Sequence, residues 1–211
     1  AKWSMDYPGQ SGHLHQSLNA VNTGQNVFYD ESDSHNMSDT MRYYVGGLQK
    51  HMKSFLAMTS PTVNSYTRLV KGAWAPTAAT WGVENRTSAL RVIKGNNKSQ
   101  RVEFRVGSAD ANPYLTAAAN IAAGLDGIKN KIEPADAVTG NAYELQDELP
   151  EALQLSSNLR DANRAFIQSG VAREYLGDTF VEHFGASRDW EVREYERSVN
   201  DWQLKRYFEI I

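Results

Sequence analysis

Residues 101–106 read Arg-Val-Glu-Phe-Arg-Val, and charged and apolar side chains alternate through the run. A period of two belongs to a strand. It puts Arg101, Glu103 and Arg105 on one face, and Val102, Phe104 and Val106 on the other, where they can enter a core. A carboxylate between two guanidinium groups on such a strand is costly to bury unless something else shares the site. A polyanionic ligand and a divalent cation would suit it. The plainer alternative is a solvated face or an Arg–Glu–Arg salt-bridge ladder.

The stretch from Thr62 to Val106 has no helical period and is rich in Thr, Val, Arg and Gly; short strands are expected at about 77–83, 87–93 and 101–106. After it, Asn112-Pro113 is a helix start, an Asn cap with Pro at the first helical position. That helix is expected to reach about Lys131, with Leu115, Ala118, Ala122, Leu125 and Ile132 along one side. An acidic loop over 133–150 follows, then helical pieces at about 156–169, 171–184 and 187–208, punctuated by Gly170, Gly177 and Gly185. Trp190, Tyr195, Val199, Trp202 and Tyr207 give the last piece a large aromatic surface.

Toward the N-terminus, residues 1–18 read as extended segments around the polar loop 7–12, and 19–36 as loop. Ser38 is a helix cap, and Met41, Tyr44, Val45, Leu48, Met52, Phe55 and Leu56 form a helical stripe that Pro61 ends. Strands and helices in blocks imply an α+β fold rather than a doubly wound sheet.

Composition narrows the function classes. A net charge of −3 argues against a nucleic-acid-binding module. The absence of cysteine removes disulfides and thiolate metal sites. No stretch approaches a membrane span and no signal peptide is visible, so a cytoplasmic protein is expected.

Two constellations could carry chemistry. In His13-Leu14-His15-Gln16-Ser17, strand geometry puts two imidazoles and a hydroxyl on one face, where they can reach a metal ion or a phosphate. The preceding Gly9-Gln10-Ser11-Gly12 lets backbone N–H groups approach a ligand. Solvated or structural histidines are the alternative. The second constellation is cationic: Arg68, Arg86, Arg91, Lys98, Arg101 and Arg105, with only Glu84, Glu103 and Asp110 as acids between 65 and 110. Arginines on strands suit bidentate recognition of carboxylate and phosphate. Together the groups ask for a triphosphate, a divalent cation and a carboxylate substrate. A hard ion needs roughly six ligands, mostly oxygen, so Glu103 and His13 do not complete a site and further ligands are expected outside this chain.

These residues resemble the glutamine synthetase family. The matching phrases are Gly9-Gln-Ser-Gly-His-Leu-His-Gln-Ser17, Pro61-Thr-Val-Asn-Ser-Tyr-Thr-Arg-Leu-Val70 and Gly82-Val-Glu-Asn-Arg-Thr-Ser-Ala-Leu-Arg91. Arg101-Val-Glu-Phe-Arg105, Ala111-Asn-Pro-Tyr-Leu115 and Ala122-Ala-Gly-Leu-Asp-Gly-Ile128 follow in family order. The resemblance implies a curved antiparallel sheet backed by helices. It also implies that residues 1–211 are only the C-terminal portion of the catalytic domain, without the N-terminal β-grasp domain and the upstream metal carboxylates. The tail 201–211 is similar to a family C-terminus.

The resemblance further implies roles. His13 and Glu103 match ligands of a Mg²⁺ or Mn²⁺ ion that bridges ATP phosphates. His15, Ser17, Arg91, Lys98 and Arg101 match nucleotide-side positions, Arg91 among the phosphate-binding arginines. Arg86 matches the arginine nearest the transferred phosphoryl group. Gly9, Arg68 and Arg105 match positions that hold glutamate. The implied reaction is ATP-dependent joining of the glutamate γ-carboxylate to ammonia or a small amine through γ-glutamyl phosphate. The implied parent is a ring-shaped homo-oligomer with active sites between neighbouring subunits. One departure bears on the nucleophile. Where ammonia-using members carry a Glu, Lys71-Gly-Ala-Trp-Ala-Pro76 has Trp74. An indole cannot take a proton but offers an apolar, cation-attracting wall, which suits an alkylamine or polyamine. That likeness is to the type III-like branch, which includes γ-glutamyl-amine ligases. A non-catalytic family member is the competing class.

Overall fold

The computed structural model describes residues 2–72 and 75–210. The Arg101–Phe104 strand (β4) lies inside a four-stranded sheet of order β1-β4-β3-β2, with β1 at Leu14–Gln16, β2 at Trp81–Val83 and β3 at Leu90–Ile93. Alternation sorts β4 as expected: Val102, Phe104 and Val106 are buried in the core with Leu90 and Val92. Both β1 and β3 run antiparallel to β4, so His15 and Arg91 stand on either side of Glu103.

The outer pair differs from the expected antiparallel sheet. β2 runs parallel to β3, with Trp81 opposite Leu90, and the sheet is mixed. The cause is local. Glu84 turns the backbone left-handed at φ 51°, and residues 85–89 carry the chain back beside the start of β2 instead of closing a two-residue hairpin. The Leu90 N–H then donates to Thr80 O and the Glu84 N–H to Val92 O, both at 2.9 Å.

Helix α1 (Asp39–Thr59) begins where Ser38 Oγ accepts from the Met41 N–H at 3.1 Å. All seven members of its stripe are buried; each such side chain contributes about 1.5–3 kcal/mol on leaving water. Helix α2 (Pro113–Asn130) starts as the Asn112-Pro113 signal implies, with the Asn112 side chain accepting from Tyr114 and Leu115 N–H groups.

Its expected apolar stripe faces the core only in part, through Ala122 and Leu115. Leu125 is 41% exposed, while Ala119, Ala122, Ala123, Gly124 and Gly127 are buried. Helices α1 and α2 cross at glycines. A Cβ on Gly47 would lie 2.2 Å from the Ala123 carbonyl oxygen, and one on Gly127 would lie 2.1 Å from that of Tyr43. Backbones this close admit only small residues between them, so Leu125 turns outward.

A short helix α3 (Ala142–Leu145) precedes α4 (Leu159–Ile167), α5 (Gly170–Leu176), α6 (Asp178–Arg197) and α7 (Asp201–Tyr207). Gly177 breaks the chain at φ +81°, but Gly185 lies inside α6. A Cβ there would sit 2.6 Å from the Ile167 side chain, so this glycine serves close packing rather than a turn. The expected helix at 187–208 is instead the end of α6 plus α7, separated at 198–200, where Asn200 caps α7. Trp190, Tyr195, Val199, Trp202 and Tyr207 are exposed. Among the described residues no helix is long and apolar enough to cross a membrane.

Candidate active site

Glu103 is the hub of the sheet's polar face, although it is only 4% exposed. Its Oε1 accepts from His13 Nδ1 and from Arg105 Nη1, each at 2.9 Å, and its Oε2 from Arg91 Nη1 at 3.3 Å. His15 Nε2 stands 3.6 Å from Oε1. Burial alone would raise the Glu103 pKa, but Arg105, His13 and Arg91 outweigh it and hold the carboxyl below its ordinary range.

The histidines take defined tautomers. His13 Nδ1 donates to Glu103, so in the neutral ring Nε2 accepts from the Ser11 hydroxyl at 3.1 Å. Burial and the nearby Arg105 guanidinium lower the His13 pKa, against the pull of Glu103. His15 Nδ1 accepts from Arg101 Nε at 3.3 Å, and Arg101 Nη1 reaches Ser99 O at 2.9 Å. Ser17 continues this face and is exposed.

Arg91 is clamped from two sides. Its Nε donates to Glu84 Oε2 at 3.1 Å, its Nη2 bonds the same oxygen, and Nη1 turns to Glu103. Burial works against its charge, but the two carboxylates prevail and raise its pKa.

At the far end of β4, the Gly9 loop and Arg68 meet. The Gly12 N–H donates to Gly107 O at 2.9 Å. Arg68, 3% exposed, donates through Nη2 to the same carbonyl at 3.1 Å and to Val106 O. Burial lowers its pKa, partly offset by Asp110. The Asp110 carboxylate accepts from the Thr62 hydroxyl at 3.0 Å and from Ser108. Gly9 lies three residues before Gly12 and is half-buried. The Nε atoms of Arg68 and Arg105 are both buried without a hydrogen-bond partner. Orphaned guanidinium donors at the same strand end fit an anionic ligand with carboxylate oxygens.

The structure thus brings together His13, His15, Arg91, Arg101, Glu103 and Arg105, with Arg68 and the Gly9 loop beside them. Two of the cations stand apart. Lys98 lines an open depression of about 630 Å³ with Asn26, Tyr29, Asp30 and Ser38. Arg86 lines another of about 520 Å³ with His35, Glu84 and 137–140. Trp74 lies outside the described residues.

His13 Nδ1 and Glu103 Oε1 share a hydrogen bond at 2.9 Å, and both are ligand types that a hard cation could take once the Nδ1 proton is released. They do not make a whole shell: among the described residues no group of three or more His, Asp or Glu side chains could hold an ion.

Sequence reasoning missed the residues that support this face. They are Glu84, Asn85 and Thr87, on the connection between β2 and β3. Their signal was an Asn beside a strand end with a hydroxyl two residues on, the pattern of an Asx-turn.

Comparison with known proteins gives a consistent result. The family model for the glutamine synthetase catalytic domain matches residues 1–207. The chain is 48% identical over 213 residues to type-1 glutamine synthetase 2 of Dictyostelium discoideum, covering 100% of this chain and 40% of that protein. It is 37% identical to a glutamate–isopropylamine ligase of a Pseudomonas species, covering 100% and 45%. It is 40% identical to a glutamine synthetase of Thermotoga maritima, covering 94% and 46%. A ligand-free structure of GmaS superposes with a TM-score of 0.83 at 34% identity, over 95% of this chain and 45% of that one. An ADP complex of GmaS gives the same score and identity. The chain therefore spans less than half the length of these relatives.

Proposed function

The chain belongs to the glutamine synthetase family, and from that premise we propose that it forms the C-terminal part of the catalytic domain of an ATP-dependent ligase. The ligase joins the glutamate γ-carboxylate to ammonia or a small amine. The observation that carries this reading is Glu103, buried among His13, Arg91 and Arg105 beside the orphaned Nε donors of Arg68 and Arg105.

In the first step a γ-carboxylate oxygen attacks the γ-phosphorus of ATP, the bond to ADP breaks, and γ-glutamyl phosphate forms. Such a step needs charge neutralisation more than covalent chemistry. Arg68 and Arg105 hold the glutamate carboxylates with their free N–H groups. Arg91, fixed by Glu84 and Glu103, and Arg86, on its open wall, meet the phosphates. His15, Arg101 and Ser17 extend the polar face on the nucleotide side, and Lys98 adds a cation from its separate depression. His13 and Glu103 would hold Mg²⁺ or Mn²⁺, which when bound neutralises phosphate charge. In the second step the amine nitrogen attacks the acyl carbon and phosphate leaves. Water must be kept out, since it would hydrolyse the acyl phosphate.

A second reading, a γ-glutamyl-amine ligase for an organic amine, is favoured by Trp74 and by the likeness to the isopropylamine ligase. The test is phosphate release by the full-length protein with ATP, Mg²⁺ and glutamate, comparing ammonium with methylamine, ethanolamine and putrescine. Ammonium far ahead makes it a glutamine synthetase proper. An organic amine far ahead selects the second reading, and Trp74→Ala should then weaken amine use more than acyl-phosphate formation. No turnover with any amine by folded protein would overturn both in favour of a non-catalytic member.

A further inference from the structure

Arg86 is exposed, and no ion pair reaches it among the described residues, yet the residues on either side of it are firmly held. Glu84 points one way, to Arg91 and to the Lys94 N–H at 3.0 Å. Asn85 points the other. Its amide nitrogen donates to the carbonyls of Val138 at 3.0 Å and Gly140 at 2.9 Å. Its amide oxygen accepts from the Thr87 N–H at 2.9 Å and from the Thr87 hydroxyl at 2.6 Å. The two donors and two acceptor positions of a side-chain amide are thus all used.

The grip extends beyond Asn85. The Thr87 hydroxyl accepts from the Ala142 N–H at 2.8 Å. The Val138 N–H donates to Trp81 O at 2.8 Å. A Cβ on Gly82 would come within 2.7 Å of Val138 O and 2.9 Å of the Asn85 Cβ, so residues 138–142 lie directly against β2 and its exit loop.

We infer that Asn85 is a positioning residue for Arg86: its amide ties the loop to residues 138–142 and presents the Arg86 guanidinium, unpaired, on the wall of its depression. This rests on the role of Arg86 proposed above and deepens it. An aspartate at 85 would have the same shape but would set a carboxylate against two carbonyl oxygens, opening the clamp on the 138–140 side while keeping the acceptor for Thr87.

The test is a double-mutant cycle in the full-length protein with Asn85→Asp and Arg86→Ala, reading kcat, KM for ATP and thermal midpoint. Asn85→Asp should lower kcat about 100-fold, the scale of a misplaced reacting group, and weaken ATP binding by a much smaller factor. In the Arg86→Ala background the same change should cost almost nothing further, because the group it positions is gone. Thr87→Val, which removes the hydroxyl with little change of shape, should couple to Arg86→Ala in the same sense. Titration calorimetry with MgATP on the same proteins reads the coupling without turnover. If the wild type has no ligase activity, the reaction proposed above falls, while non-additive binding still supports the clamp. Additive effects, an unchanged Asn85→Asp, or full activity and ATP affinity in Arg86→Ala would overturn it.

Discussion

His13–Glu103 and His51–Asp126 are the same pair of groups at nearly the same separation, 2.9 and 2.7 Å, in opposite settings. His51 on α1 and Asp126 on α2 meet inside the helix crossing, both buried, and the second Asp126 oxygen accepts from the Asn130 amide at 2.9 Å. Among the described residues no guanidinium pairs with Asp126. The pair is closed, a hydrogen-bonded fastener between helices. His13 is a third exposed, and its carboxylate partner is shared with Arg105 and Arg91. Beside it lie guanidinium N–H groups without acceptors. A histidine–carboxylate pair is therefore no sign of chemistry in itself. Surplus cations, unmet donors and a path to solvent distinguish the pair that can meet an anionic substrate from the pair that holds helices together.

The largest effect is expected at Glu103. In the full-length protein Glu103→Gln should lower the ligase rate by at least about 100-fold, the scale of losing one preorganised electrostatic group. Steady-state phosphate release measures it, and near-normal turnover would reduce the cluster to a salt-bridge ladder.

Asp126→Asn should do the reverse. Stability in urea should drop by about 1.5–3 kcal/mol, the range for a hydrogen bond to a charged group, with kcat per folded molecule unchanged. A fall in kcat as steep as that of Glu103→Gln would erase the distinction.

Acid sharpens it further. Burial, the main cause in both, lowers the pKa of His13 and of His51 below the ordinary 6.5. Below pH 6.5 the unfolded chain therefore binds more protons than the folded one. The stability from these groups is fully present above pH 6.5 and is lost as pH falls toward their folded values. Glu103, also lowered, adds its own loss only in stronger acid, below its ordinary 4.5. The thermal midpoint should thus decline between pH 6.5 and 5. His51→Gln should flatten that decline more than His13→Gln, because the His51 side chain is 11% exposed and that of His13 33%. Equal flattening would mean that the two imidazoles share one environment.

The smallest effect is expected at Arg160→Ala. Arg160 pairs with Glu196 across a solvated surface where both side chains are half exposed. Neither urea midpoint nor turnover should change measurably.

Much of the candidate site was legible because it lies on strands. Period two put His13, His15 and Ser17 on one face and Glu103 with its flanking arginines on another, and the β1–β4 register joined the two rows. The Asn112 and Ser38 caps and the α1 stripe were legible for the same reason: each depends on residues within one or two turns of the chain. The surroundings of Glu103 were less so. That Arg91 would reach it depends on β3 pairing with β4 and on Glu84 holding the other side of the guanidinium.

The amino-acid order thus fixes alternation, caps and the identity of the charged groups, since all of these act between near neighbours. Docking settles the rest. Leu125 faces out because Gly47 and Gly127 let two backbones touch across a gap of eighty residues. Gly185 serves packing within α6, where the Ile167 side chain takes the space a Cβ would fill. Asn85 is a clamp because residues 138–142 return to lie on β2. Contacts between segments distant in the chain depend on how finished elements pack, and a local period carries no information about that.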